Sequence, residues 1–294
     1  MENKNRHLIA LDLDGTLLTD DKKISVRNKQ AVFQAIEAGH IVVIATGRPG
    51  RASIQYYQEL QLKTPMVNFN GALVHHPLDT SWKGIHTPMP LTTAHRIIDI
   101  SNAIEVKNIL AEVQDQVYLD QYSEDIMTIF KGFPEESPYI IGDIKSKLQH
   151  DPTSVLIHPD VSQVEELRDH LNDYHAEVIE HRKWGAPWNI IEIIKKGMNK
   201  AVGLKRIADE YNISRENIIA FGDEDNDLEM IDYAGVGVSM GNAIDELVSV
   251  SKHQTLTNEE DGISVFLEKY LNLEKTKSGE RPFKNVEIGA AQLR

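Results

Sequence analysis

Two short apolar runs, residues 7–12 (HLIALD) and 41–45 (IVVIA), flank a single helix-period segment, and this constrains the fold more than anything else in the chain. Near-continuous apolar runs of this length suit strands covered on both faces. The segment between them, residues 25–38, carries Val26, Ala31, Val32, Ala35 and Ile36 at helical spacing. Ser25 is a suitable cap for its start, and Gly39 stands where it should stop. Strand, helix and strand in that order make a β-α-β unit, which requires a parallel sheet with a right-handed crossover. The rhythm returns near the C-terminus. Residues 199–211 read as helix, 217–221 as strand, 228–233 as helix, 235–239 as strand and 262–271 as helix.

The middle of the chain reads differently. Between about residues 82 and 183, helix-like segments (91–103, 161–174) mix with alternating, strand-like ones (106–113, 117–120, 154–158, 177–181). Pro77, Gly84, Pro88 and Pro90 punctuate the entry, and Gly185 and Pro187 the exit. An α+β domain inserted into an α/β domain is expected, with hinges around residues 84–90 and 185–187. The boundaries are read as core over 1–81 and 189–274 and insertion over 82–188. The polar tail, 275–294, has no clear period and is expected to be loosely ordered.

Composition narrows the function. The 294 residues are 41% hydrophobic and 26% charged, enough apolar content for a packed core. A net charge of −14 opposes a nucleic-acid partner. There is no cysteine, so disulfides, thiolate nucleophiles and cysteine-bound zinc are excluded. No run reaches the ~18 apolar residues of a membrane span. A cytoplasmic protein without a membrane partner is expected; the oligomeric state is not encoded in any feature.

Chemistry concentrates where strands end. Asp12-Leu13-Asp14-Gly15-Thr16 follows the first buried run, at the edge where open α/β sheets bind ligands. Carboxylates at i and i+2 project to one side, with Leu13 inward, and their repulsion calls for a hard cation such as magnesium. Gly15 lets the backbone turn. Thr46-Gly47-Arg48 follows the second run with a hydroxyl, a bare amide and a guanidinium, all phosphate donors; alone, it reads better as a polar loop with a helix cap. Gly222-Asp223-Glu224-Asp225-Asn226-Asp227 follows a third strand, with four acids in five residues that suggest either metal ligation or a solvated turn. Its spacing is not that of a calcium-binding EF-hand. Lys200 begins the helix that follows a strand-like run at residues 190–194, against the helix dipole; alone, it is an ordinary surface lysine.

These four pieces, DLDGTLL, ATGR, KGMNKAVGL and GDEDNDLEM, in this order, resemble the haloacid dehalogenase-like superfamily of phosphohydrolases, and within it the Cof-type hydrolases with a cap inserted between the second and third motifs. Asn70-Gly71-Ala72 and Met240-Gly241-Asn242-Ala243 match as accessory pieces, and the resemblance spans roughly residues 7–272. It implies a Rossmann-like parallel-sheet core with an inserted α+β cap, and a magnesium-dependent phosphatase of small phosphorylated metabolites, such as sugar or cofactor phosphates. Asp12 would be the nucleophile and form an aspartyl-phosphate, and Asp14 the general acid, then base. Magnesium would be held by Asp12, the Asp14 backbone carbonyl and Asp223. Thr46, Gly47 and Lys200 would hold the phosphoryl group, Asn226 and Arg48 would touch substrate phosphate, and Asp227 would orient Lys200 or a metal-bound water. Two alternatives remain: a phosphomutase on the same scaffold, and a non-catalytic module that binds a phosphometabolite. The scattered histidines, His75 and His76 included, lack metal spacing. Trp184 and Trp188 are expected to pack at the hinge, and Glu192 either faces the cleft or forms a structural salt bridge.

Overall fold

The computed structural model describes residues 6–129, 139–183 and 189–274. The opening unit is β1 (Leu8–Leu11), α1 (Val26–Glu37) and β2 (Ile41–Ile44). β1 and β2 pair in parallel, Leu8 opposite Ile41 and Leu11 opposite Ile44. The Ser25 side chain accepts from the Asn28 N–H and caps α1, and Gly39 follows its end at φ +92°. All eight residues of these two strands are buried. On β1, Ile9 and Leu11 enter one apolar layer while Leu8 and Ala10 enter the other, so the run has no polar face to show.

Next come α2 (Gly50–Glu59), β3 (Met66–Asn68), β4 (Leu73–His75) and β5 (Ile85–His86). The three strands form a small antiparallel sheet, tied to the end of β2 by a parallel bridge between Ala45 and Val67. The inserted region follows with α3 (Leu91–Ala103), β6 (Asn108–Val113), β7 (Gln116–Leu119), α4 (Glu124–Ile129), β8 (Tyr139–Ile141), α5 (Ile144–Lys147), β9 (Ser154–His158), α6 (Val164–His175), β10 (Ile179–Lys183) and β11 (Ile191–Lys195). Its six strands run in the order β10-β11-β9-β6-β7-β8. They share an apolar core with α3 and α6 that includes Ile97, Ile109, Ile157, Leu167 and Ile193.

The chain then completes the first sheet with α7 (Lys200–Glu210), β12 (Ile218–Gly222), α8 (Leu228–Tyr233), β13 (Val236–Ser239), α9 (Asp245–Val250), β14 (His253–Gln254) and α10 (Gly262–Tyr270). That sheet is parallel throughout, in the order β14-β13-β12-β1-β2. The fold is therefore α/β, a Rossmann-like parallel core with an inserted α+β cap. Among the described residues, no helix is long and apolar enough to cross a membrane.

Two strands lie across the boundaries read from sequence. Ile85–His86, expected in the insertion, pairs with β4 beside the core. Ile191–Lys195, expected with the core from residue 189, pairs with β9 and β10 inside the cap sheet. The reason is that an apolar run such as IEIIK announces a buried strand but not its partner. Residues 184–188, which hold one expected hinge with Trp184 and Trp188, and the tail 275–294 lie outside the described residues. The two connections meet at one turn. Thr87 N–H donates to the Ala72 carbonyl, and Gly71, at φ +92°, packs so closely on the Asn199 carbonyl that a Cβ would overlap it.

Candidate active site

The parallel order of β2, β1 and β12 sets the site. Each strand ends at the same edge, and each is followed by polar residues: Thr46-Gly47-Arg48, Asp12 and Asp223. Lys200 arrives from the opposite connection. Asn199 caps α7 by accepting from Val202 N–H, which fixes Lys200 as its first helical residue. The Lys200 side chain is wholly buried, and its Nζ donates to Asp12 Oδ1 at 2.7 Å and Asp227 Oδ1 at 2.8 Å. Asp227 Oδ2 accepts from the backbone N–H groups of Asp223 and Glu224 at 3.0 and 3.2 Å, which orients its other oxygen. Asp223 Oδ1 accepts from the Thr16 hydroxyl at 2.7 Å. Gly15 adopts φ +70°, and a side chain there would collide with the Asp223 carboxylate.

Carboxylate oxygens of Asp12, Asp223 and Asp227 lie within 4.8 Å of one another, and all three residues are buried. With all three ionised, three negative charges face the single Lys200 ammonium, leaving an excess of two. Burial pushes Asp12 well above the usual carboxylate range; Lys200 pulls it back only in part. Burial, opposed by the Thr16 hydrogen bond and reinforced by Asp227, pushes Asp223 up to about 7. Burial also pulls the Lys200 ammonium down, but Asp12 and Asp227 outweigh it and hold the lysine above its ordinary value. An all-oxygen donor set with uncompensated negative charge fits a small, hard divalent cation.

Asp14 takes a different path. The alternation expected to place it beside Asp12 ends with β1 at Leu11. Its carboxylate receives a two-pronged contact from Arg48, Nε to Oδ2 and Nη2 to Oδ1, both at 2.6 Å, and a third from Lys22 Nζ at 2.8 Å. Burial would raise it, but these two cations outweigh burial and hold it at about 2. Its side chain is not part of the acidic triad. Arg48 also lies over the Tyr56 ring, and its backbone N–H donates to Thr46 Oγ1 at 3.1 Å. Asn226 donates to Asn70 Oδ1 at 3.1 Å, and the Asn70 side chain lines Gly47.

Thus Asp12, Lys200, Asp223 and Asp227 interlock, while Thr46, Gly47, Arg48 and Asn226 stand around them. Sequence reasoning assigned no role to Thr16, Lys22 or Tyr56. Lys22, at φ +59° in a turn, carries no signal that separates it from a surface lysine. Asn70 and Asn242 stood in the accessory pieces; Asn242 donates to the Gly15 carbonyl at 2.9 Å and approaches Asp223 Oδ2 at 3.4 Å. His75 hydrogen-bonds Asn68 and takes no part in the triad.

The chain as a whole is similar to known proteins. A family model described as haloacid dehalogenase-like hydrolase matches residues 9–267. The chain is 52% identical over 273 residues to the 5-amino-6-(5-phospho-D-ribitylamino)uracil phosphatase YitU of Bacillus subtilis (strain 168), covering 93% of this chain and 100% of that one. It is 30% identical to the pyridoxal phosphate phosphatase YbhA of Escherichia coli (strain K12), covering 90% and 98%. A haloacid dehalogenase-like hydrolase from Bacteroides thetaiotaomicron matches with a TM-score of 0.79 at 26% identity, over 90% of this chain and 99% of that one.

Proposed function

Because the chain belongs to the haloacid dehalogenase-like hydrolase family and is a phosphoric monoester hydrolase, we propose that it cleaves 5-amino-6-(5-phospho-D-ribitylamino)uracil in two steps through Asp12. The identity of 52% over the full length of a relative named for that activity supports the substrate. The observation that carries the chemistry is the buried Asp12–Lys200–Asp227 bridge beside Asp223. Magnesium would be held by Asp12 and Asp223 together with the Asp14 backbone carbonyl, and it would supply positive charge against the phosphoryl oxygens. Asp227 would orient Lys200.

In the first step an Asp12 oxygen attacks phosphorus and the ester oxygen leaves, taking a proton from Asp14. In the second, Asp14 removes a proton from water, whose oxygen attacks the acyl phosphate and returns Asp12 with free phosphate. Lys200 and Thr46 face the equatorial oxygens, where charge is spread during transfer. Asp14 as acid requires a change from the arrangement described above, in which two cations keep it ionised. Substrate phosphate is the competing anion for Arg48. When Arg48 turns to it, Asp14 loses its strongest partner and can hold a proton. A cytoplasmic location belongs to the same proposal.

The test is a panel of phosphomonoesters with magnesium, ranked by kcat/KM. The ribitylaminouracil phosphate should rank first and pyridoxal phosphate below it; the reverse order would move the substrate to the cofactor-phosphate class. EDTA should abolish turnover and magnesium restore it, and full activity after metal removal would contradict the metal's role.

A further inference from the structure

Among the described residues, two sets of ion pairs join the cap to the core, and they differ in kind. The first is buried. Arg51, in α2 three residues beyond Arg48, pairs with Glu112 of cap strand β6, and each side chain is 6% exposed. Ser154 of β9 donates to the other Glu112 oxygen at 2.7 Å, and Asp115 of the β6–β7 turn accepts from the Arg51 backbone N–H at 2.9 Å. The second is open to solvent. Arg182 of β10 reaches Asp225 at 3.0 Å and Glu229 at 3.8 Å, and those acids are 57% and 46% exposed. Asp225 directly precedes Asn226 and Asp227 of the site.

Register places these contacts at different depths. Glu112 lies opposite Ser154, and Ser154 opposite Ile194, one residue from where β11 leaves the cap. Arg182 lies opposite Glu192, two residues further from that exit. The buried pair is therefore beside the connections and the exposed pair is away from them. Breaking a buried pair strands a charge out of water, whereas an exposed pair opens at little cost.

We propose that Arg51–Glu112 is the pivot on which the cap turns, and that Arg182 with Asp225 and Glu229 is the latch that closes it over the site. Arg182 is a positioning residue: it draws the Asp225–Asp227 loop and the cap together, and it makes no contact with the reacting atoms. The proposal rests on the phosphatase reading only for its kinetic consequence. A substrate that binds the closed form sees an affinity reduced by the closed fraction, so weakening the latch raises KM more than it lowers kcat.

The chain has no cysteine, so introduced pairs are the only sites for thiol-directed spin labels. One pair joins Asp173→Cys, on the cap helix α6 that packs on β10, to Asp232→Cys, on α8 with Glu229; a second joins Gln55→Cys, one turn after Arg51 on α2, to His150→Cys, four residues before Ser154 of β9. Distances are measured with magnesium and without substrate. Arg182→Gln should add a longer distance on the latch side and leave the pivot side unchanged. It should raise KM by up to about fivefold, the upper end for an exposed ion pair, and reduce the dependence of KM on salt. The charge exchange Arg182→Glu with Asp225→Arg should restore the short distance. Unchanged distances in Arg182→Gln, or equal lengthening on both sides, would overturn the latch and pivot. Absence of turnover on every monoester would instead refute the phosphatase reading, and the distances would still decide the latch.

Discussion

Asp223 shows how one residue ties the stability of this fold to its proposed chemistry. Its carboxylate is buried beside Asp227 and Asp12, and its proton affinity in the folded chain is raised to about 7. The unfolded chain releases that proton near 4. Between those values Asp223 holds its proton in the folded state and not in the unfolded one, so its contribution lowers metal-free stability as pH rises from about 4 to about 7 and is complete above that window. Asp223→Asn keeps an acceptor for Thr16 and removes the charge. It should raise metal-free stability at pH 8 by about 1–2 kcal/mol, reduce the pH dependence between 4 and 7, and abolish stabilisation by magnesium. Denaturant unfolding of both proteins, with and without the metal, checks this; a destabilised, still magnesium-responsive variant would contradict it. Asp12 and Asp223 stood out because each directly follows a strand, whereas Lys200 and Asp227 were singled out only by the ordered motifs and their family resemblance; the structure brings the four together. The pairing of Asp14 with Arg48 and Lys22 was not legible, since residues 8 and 34 positions apart meet only through the fold.

At the scale of elements, legibility followed length and capping. α1, α7 and α8 were read nearly to the residue, because Ser25 and Asn199 cap the first two and their apolar positions keep helical spacing. Ser25 also donates to Asp261 at 2.5 Å, joining α1 to the turn before α10. Ser25→Ala should therefore cost about 1–2 kcal/mol, the upper range for a lost cap, with kcat unchanged; a urea midpoint equal to wild type would refute the capping role. α2 escaped detection because Pro49 provides no side-chain cap. β3, β4 and β5 hold only two or three residues each, too few to show a period. β11 was legible as a strand and misplaced as to sheet, since hydrophobicity encodes burial and not partnership.

For the molecule as a whole, the position of β11 changes how the cap can be removed. Excising residues 86–182 would leave Ile191–Lys195 without β9 and β10, an apolar strand with open edges that invites aggregation. Excising residues 88–197 removes the strand with its sheet, and the new ends are close because Thr87 and Asn199 both pack on the turn at Gly71 and Ala72. The shorter excision should give insoluble protein. The longer should give a soluble core that binds magnesium but loses discrimination among monoesters; a soluble product of the shorter excision would show that β11 does not need the cap sheet. The central claim, that phosphate passes through Asp12, is tested most directly by acid-quenching the enzyme during turnover and determining the mass of the peptide that carries Asp12. The expected result is one added phosphoryl group on Asp12, labile to hydroxylamine and absent from Asp12→Asn. Turnover at full rate in Asp12→Asn, with no phosphorylated peptide in either protein, would contradict it.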